Sequence, residues 1–187
     1  MTVKKIITSA LVAGMTLSWG ASKAVAGEIR YRDSDSGTFA SSTLDSDGDG
    51  APGTTGQGIG KSTKGKTTHY FFSEYALLPV ANINCPDGTT EFPAVRARSV
   101  RRFSNGDLLV NEINPGAGIG SGFTCVDFAT GTFTSTAKGE WTGGTGKFAN
   151  ATGPVTVLSN GTVLVFDSMG AIFGSFESSA SGTIILP

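Results

Sequence analysis

The sequence is poor in histidine, cysteine and charge. His69 is the single histidine, and charged residues make up 16% of the 187 residues. One imidazole excludes a catalytic metal held by three histidines, and the low charge argues against a charged disordered tail and a coiled coil. After the N-terminal segment, no apolar run approaches the roughly 18 residues that a membrane-spanning helix needs. These absences leave a single globular domain.

Glycine, by contrast, is abundant. The 27 glycines are mixed with threonine, serine and valine rather than with strong helix formers. This composition favours short strands and tight turns. About eight short strand-like segments, separated by turn signals, predict an all-β antiparallel barrel or sandwich.

The N-terminus has the pattern of a signal peptide. Two lysines precede an apolar run that ends at Trp19, and Ala24-Val25-Ala26 supplies small residues at alternate positions. We therefore expect residues 1–26 to be removed and residues 27–187 to form one secreted or periplasmic domain. The alternative, an uncleaved membrane anchor, is disfavoured because the apolar run is short. After cleavage no transmembrane anchor is expected to remain.

The mature chain is acidic and keeps both cysteines. Loss of Lys4, Lys5 and Lys23 leaves acidic residues in excess, which argues against a nucleic-acid partner. In an exported chain, Cys85 and Cys125 are expected to form one disulfide. A catalytic or metal-binding thiol is the alternative, although no C-x-x-C motif or nearby histidine accompanies either cysteine.

Turn signals divide the mature chain. Residues 45–67 are rich in glycine, serine, threonine, aspartate and lysine, and are predicted to form a long loop that cannot bury a core. Ser104-Asn105-Gly106 predicts one hairpin, and Asn160-Gly161 predicts a second over residues 155–167. Both faces of this second segment are largely apolar, which suits a packed lumen on one side and a covered outer face on the other.

The long loop opens with an acidic motif. Asp45, Asp47 and Asp49 alternate and are followed by Gly50, as in the first half of a calcium-binding loop. The closing bidentate glutamate is missing, because Gly56 occupies its position. The alternatives are a partial calcium site and an acidic surface turn; no other cofactor is indicated.

Charged residues near aromatic ones give candidates for a ligand site. Arg96, Arg98 and Arg102 share one strand face, which is either solvated or the wall of a pocket for an anionic head group. Glu74 lies in an aromatic stretch, where it either acts as a general acid or base or pairs with an arginine. The candidate ligand-binding residues are Tyr31, Phe72, Glu74 and Arg98.

The segment 141–153 resembles the G-G-T-G-[RK]-F-x-x-A-x-G signature shared by dirigent proteins and allene oxide cyclases. Its glycines are Gly143, Gly144, Gly146 and Gly153, which permit a tight corner between two strands, with Phe148 as an apolar plug. The resemblance implies an eight-stranded antiparallel β-barrel of the calycin-like, allene oxide cyclase-like type, with an apolar lumen and often a trimeric assembly.

The same resemblance bears on catalysis. Glu28-Ile29 stands where allene oxide cyclases carry a catalytic Glu-Ile pair, so Glu28 joins Glu74 as a candidate catalytic residue. Arg30, however, replaces the asparagine that helps the cyclases to hold a water molecule, and fold and function separate easily on such barrels.

Three functions follow as hypotheses. The first is an exported barrel that binds a hydrophobic or amphiphilic small molecule in its lumen, without a cofactor. The second is a cofactor-independent isomerase or cyclase of the allene oxide cyclase or dirigent type, which holds a reactive molecule in one shape. The third is a surface or matrix module that binds calcium through its acidic loop.

Overall fold

The computed structural model describes residues 27–45, 48, 50, 53–166 and 172–187. The predicted signal peptide, residues 1–26, lies outside the described residues. The described chain forms nine antiparallel strands in one sheet, which confirms the all-β prediction. They are β1 (Gly27–Ser41), β2 (Thr54–Ser62), β3 (Gly65–Tyr75), β4 (Thr90–Phe103), β5 (Leu108–Ile113), β6 (Ser121–Asp127), β7 (Thr132–Gly144), β8 (Pro154–Phe166) and β9 (Ile172–Leu186).

Eight of the strands close into a ring. The order is β3-β2-β1-β9-β8-β7-β5-β4, and pairing of β3 with β4 completes the circuit. β6 lies between β4 and β7 as well, pairing with the start of β4 and with most of β7. β5 and β6 therefore occupy successive parts of one position in the ring.

Side chains alternate between the inside and the outside of the ring, as the pleat of a strand requires. In β1, Tyr31, Asp33 and Asp35 are buried, whereas Arg32 and Ser34 between them are exposed. The same alternation runs through β9, which pairs with β1 over nearly its full length. Charged side chains thus point inward in a ring whose core would otherwise be apolar.

One end of the ring is filled by a packed apolar cluster. The ring of Trp141 meets that of Tyr31 edge to face at 5.2 Å between centroids, and Phe103 lies 4.8 Å from Phe148. The cluster comprises Tyr31, Phe103, Leu109, Trp141, Phe148, Ala151, Val155, Ala180 and Ile184. Burial of each large side chain contributes about 1.5–3 kcal/mol to stability, so this cluster is the main core.

The glycine-rich corner closes that end. From the end of β7 to the start of β8, Gly143, Gly146 and Gly153 adopt φ values of 115°, 57° and 115°, a region that side chains disfavour. A Cβ on Gly144 would collide with the backbone of β5. Phe148, in a short 3₁₀ turn, is completely buried. The predicted corner with its phenylalanine plug is confirmed.

The prediction of one long loop over residues 45–67 is wrong for its second half. That half contains β2 and the first residues of β3. β2 looks unlike a strand because its inward positions are glycines: a Cβ on Gly56 would overlap the ring of Phe71, and one on Gly58 would press on Phe176. Neighbouring strands fill this side of the interior, so β2 needs no apolar side chains there.

The predicted hairpin at Asn160-Gly161 is also wrong. Both residues lie in the middle of β8, where Asn160 pairs with Thr134 of β7 and Glu177 of β9. A Cβ on Gly161 would collide with the ring of Phe133, so this glycine makes room for an aromatic ring and does not form a turn. By contrast, the hairpin predicted at 104–106 is confirmed, with Gly106 at φ 88°.

The end of the ring away from the packed cluster carries the disulfide. Cys85 and Cys125 are bonded, with their Cα atoms 5.5 Å apart, as predicted. The bond joins the segment between β3 and β4 to β6. Glu91 reinforces this segment, because its carboxylate accepts hydrogen bonds from the backbone N–H groups of Ile83 and Asn84.

Among the described residues, no helix is long and apolar enough to cross a membrane.

Candidate functional site

An apolar cavity of about 240 Å³ occupies the half of the ring opposite the glycine-rich corner. Aromatic rings dominate its wall: those of Phe71 and Phe176 meet edge to face at 5.2 Å, and Phe39 and Phe133 do so at 5.5 Å. The remaining inward positions are mostly small, such as Ala97. Large rings with small residues between them leave a space that can hold an apolar molecule.

A layer of buried polar side chains separates the cavity from the packed core. Arg101 is completely buried, and its Nε donates to the carboxylate of Asp33. Its Nη1 donates to Ser99 Oγ at 2.8 Å and to Asn111 Oδ1 at 2.7 Å. Several hydrogen bonds thus compensate for the desolvation of the guanidinium.

Residues of the packed core complete this network. Tyr31 donates its hydroxyl hydrogen to Asp33 Oδ2 at 2.9 Å, and the backbone N–H of Ala180 donates to Asp33 Oδ1 at 2.8 Å. Burial raises the pKa of Tyr31 far above its ordinary value, and the charge of Asp33 adds to this effect. Tyr31 therefore stays protonated and is a fixed donor. The guanidinium of Arg101 lies 5.5 Å from the centre of the Trp141 ring, a cation–π arrangement.

His69 forms a second buried pair with Asp35. Its Nδ1 lies 3.0 Å from Asp35 Oδ1, and both residues are more than nine-tenths buried. Burial lowers the pKa of His69, and the hydrogen bond to Asp35 opposes that shift only in part. The imidazole is thus neutral near pH 7. Because His69 lines the cavity, this pair lies at the cavity floor.

Two polar atoms of the cavity lining have no hydrogen-bond partner within the described part of the chain. They are His69 Nε2 and Ser178 Oγ. Ser178 stands opposite Asp35 in the pairing of β1 with β9, so both atoms belong to the neighbourhood of Asp35. A buried polar atom without a partner is costly, so these two atoms are candidates for a hydrogen bond with a ligand.

The two candidate catalytic carboxylates lie elsewhere. Glu28 is exposed on the outward alternation of β1. Glu74 is almost completely buried, but it is not part of the cavity lining and stands opposite Arg96 across β3 and β4. Arg96 in turn donates to Glu112 at 3.3 Å. Neither glutamate is therefore part of the cavity lining: Glu28 lies on the outer surface, and Glu74 is buried beside the cavity wall.

The four predicted ligand-binding residues do not lie together in one site. Tyr31 points inward but belongs to the packed core below the polar layer. Phe72 and Arg98 border the cavity and face each other across β3 and β4. Arg98 is exposed, so the face of β4 that carries Arg98 and Arg102 lies largely on the surface of the protein. Of the four candidates, only Phe72 and Arg98 touch the cavity.

The acidic loop provides no described metal site. Asp45 uses its carboxylate within the loop, accepting the backbone N–H of Gly48 at 2.7 Å and that of Gly50 at 3.0 Å. Asp47 and Asp49 lie outside the described residues. Among the residues described, no cluster of three or more potential metal ligands occurs.

Sequence reasoning missed the residues of the polar layer. It did not single out Asp33, Asp35 or Arg101, and it used His69 only to exclude a metal held by three histidines. The alternation of side chains along a strand could have identified them. Asp33 is two residues from Tyr31, and Arg101 is two residues from Phe103, so each shares a strand face with an aromatic residue. A charge that shares a strand face with large aromatic residues is a candidate for an inward position.

Comparison with protein-family models, curated proteins and solved structures finds no match for this chain. The case for its function therefore depends on the closed ring, the cavity and the polar floor.

Proposed function

We propose that this chain is an exported β-barrel protein that binds one hydrophobic or amphiphilic small molecule in its interior cavity. The observation that carries the proposal is the cavity itself, with aromatic walls and a floor of buried polar groups. Ligand pockets in proteins combine mostly apolar walls with a few fixed polar groups. The predicted signal peptide and the disulfide favour an oxidising compartment, periplasmic or extracellular.

The resemblance of the corner at 141–153 to dirigent proteins and allene oxide cyclases supports the same proposal. We extend it to an eight-stranded barrel of that type and to a homotrimer. Leu158 and Leu164 are 50% and 60% exposed on the outside of the ring, and a subunit contact would cover them. Light scattering of the purified protein tests the assembly: the mass of a monomer would contradict it.

Native mass spectrometry of protein purified from its own host tests the binding directly. We expect a fraction that carries a small molecule and loses it on activation in the gas phase. Extraction with organic solvent should then yield the molecule for identification. A single mass equal to that of the mature chain, together with failure to bind N-phenyl-1-naphthylamine, would contradict the proposal.

A variant that fills the cavity shows whether the binding is internal. Ala137 lines the cavity from β7, whereas the adjacent Thr136 lies on the other face of the strand. We expect Ala137→Phe to weaken binding of N-phenyl-1-naphthylamine at least tenfold, because the new ring occupies the site. Thr136→Phe is the matched control and should bind like the wild type. Near-ultraviolet circular dichroism confirms that both variants fold.

An isomerase or cyclase of the allene oxide cyclase or dirigent type is the second candidate. The hydrogen-bonded pair of His69 and Asp35 at the cavity floor supports it, since a neutral imidazole can accept a proton. The test is the enantiomeric excess of product formed from an allene oxide in the presence of the protein. His69→Gln should remove the excess, whereas Glu28→Gln on the outer face should keep it. Racemic product with the wild type would rule this candidate out.

A further inference from the structure

We propose that the cavity selects ligands whose polar end is an uncharged hydroxyl group, with His69 Nε2 as the acceptor of its hydrogen bond, and that it rejects carboxylates. This inference rests on the proposed ligand-binding function and specifies the ligand class. Three features of the cavity floor support it: the tautomer of His69, the balance of buried charge, and the set of polar atoms that remain available.

The tautomer of His69 follows from its partner. A carboxylate can only accept hydrogen bonds, so the contact of 3.0 Å between Asp35 Oδ1 and His69 Nδ1 requires the proton to be on Nδ1. A neutral imidazole carries one N–H, which leaves Nε2 with a lone pair. Nε2 is therefore an acceptor, and it needs a ligand that donates. A hydroxyl group does so, whereas an ether or a carboxylate does not.

The charge around His69 disfavours an anionic ligand. The charged groups that act on it are Asp33 and Asp35 from β1 and Arg101 from β4; the neighbouring side chains of Phe71 and Phe176 are apolar. Arg101 is already paired with Asp33, so the negative charge of Asp35 is in excess. Arg98 also borders the cavity, but it is exposed and lies three residues along β4 from Arg101, which stands opposite His69. A ligand carboxylate at the floor would therefore add a second uncompensated charge in a buried site, at high cost.

Apart from Ser178, the other polar groups of the floor already have hydrogen-bond partners and are less available to a ligand. Ser99 and Asn111 line the cavity, but they are hydrogen-bonded to each other and to Arg101. Arg101 itself is completely buried and is not part of the lining. Ser178 Oγ lacks a partner within the described residues and can both donate and accept. Ser178 is thus a second polar side chain, next to Asp35 in the strand pairing, that can bond a ligand hydroxyl.

Three naphthalene probes of matched shape test this selectivity. They are 2-naphthalenemethanol, its methyl ether 2-(methoxymethyl)naphthalene, and 2-naphthoate, with dissociation constants measured by calorimetry at pH 7.5. We expect the alcohol to bind roughly tenfold more tightly than the ether, because the ether leaves Nε2 without a donor. The naphthoate should bind most weakly. Equal binding of alcohol and ether, or preference for the naphthoate, would overturn the inference while leaving the proposed function intact.

Variants assign the selectivity to His69. In His69→Phe the ring is kept and the acceptor is lost, so the alcohol should lose its advantage while the ether keeps its affinity. Should this variant fail to fold because Asp35 loses its partner, Ser178→Ala provides a milder test, with an expected reduction of the alcohol's advantage. Phe176→Leu is the control for packing and should weaken the alcohol and the ether by the same factor. Failure of all three probes to bind the wild type would instead overturn the proposed function, and this inference with it.

Discussion

The two halves of the ring use the same alternation of side chains to opposite effect. Near the glycine-rich corner, inward positions hold large residues such as Trp141 and Phe148, and the interior is full. In the other half, inward positions include Ala97, Ala137 and Ser159, and a cavity remains. The closure of the strands is common to both halves. The size of the inward side chains thus decides whether the interior of the ring is packed or holds a cavity.

The largest expected effect comes from breaking the packed half. Phe148→Ala should reduce the free energy of unfolding by about 3–5 kcal/mol, because a completely buried ring leaves a void. Phe176→Ala in the cavity half should cost clearly less, since part of that ring already borders empty space. Urea denaturation of both variants measures the difference. Equal losses would mean that the two halves contribute alike to stability.

Removal of the disulfide tests the stability of the cavity half. The bond joins residues 40 positions apart in the sequence, and we expect the double variant Cys85→Ser, Cys125→Ser to lose about 2–4 kcal/mol. The loss arises mainly from greater freedom of the unfolded chain. Hydrogen exchange should rise first in β6 and only later in β9. A uniform rise across the ring would contradict a division into halves.

A smaller effect is expected at the floor between the halves, where His69 titrates. Burial lowers the pKa of His69 in the folded state below its ordinary value of about 6.5. Above that pH the residue is neutral in both states. As pH falls through 6.5, the unfolded chain takes up a proton that the folded chain does not, so the free energy of unfolding falls, by at most about 1.4 kcal/mol per pH unit.

The measurement compares the wild type with His69→Gln between pH 7.5 and 5.0. We expect the wild type to lose more stability than the variant over this range. The range stops above the region where Glu91 and Asp127 titrate, since hydrogen bonds lower the pKa of both carboxyl groups. If the free energy of unfolding falls equally with pH in the two proteins, His69 does not contribute to the pH dependence.

The sequence alone was sufficient to predict features that depend on local chemistry. The disulfide followed from two cysteines in a chain with a predicted export signal, and the corner followed from a run of glycines around Phe148. The hairpin at 104–106 needed only a turn signal between two apolar segments. In each case the residues that decide the structure are close in sequence or have no alternative partner.

The sequence was not sufficient where distant strands decide the structure. Gly56, Gly58 and Gly161 suggest a loop or a turn, yet each faces an aromatic ring that belongs to another strand. Arg101 was overlooked for a similar reason. Inward and outward faces of β4 could be separated by alternation, but the carboxylate that makes an inward arginine tolerable is Asp33, 68 residues away.

The division of one ring position between β5 and β6 has a mechanical consequence. β5 places Leu109 in the packed core, whereas β6 carries Cys125 and faces the cavity with Thr124 and Val126. Within this wall, the two strands are connected along the chain only through residues 114–120. Strain applied to the cavity wall at β6 is therefore not carried along a continuous strand into the core. We therefore expect the wall at β6 to be more compliant than the packed half of the ring, with the disulfide limiting how far β6 can move from the segment before β4.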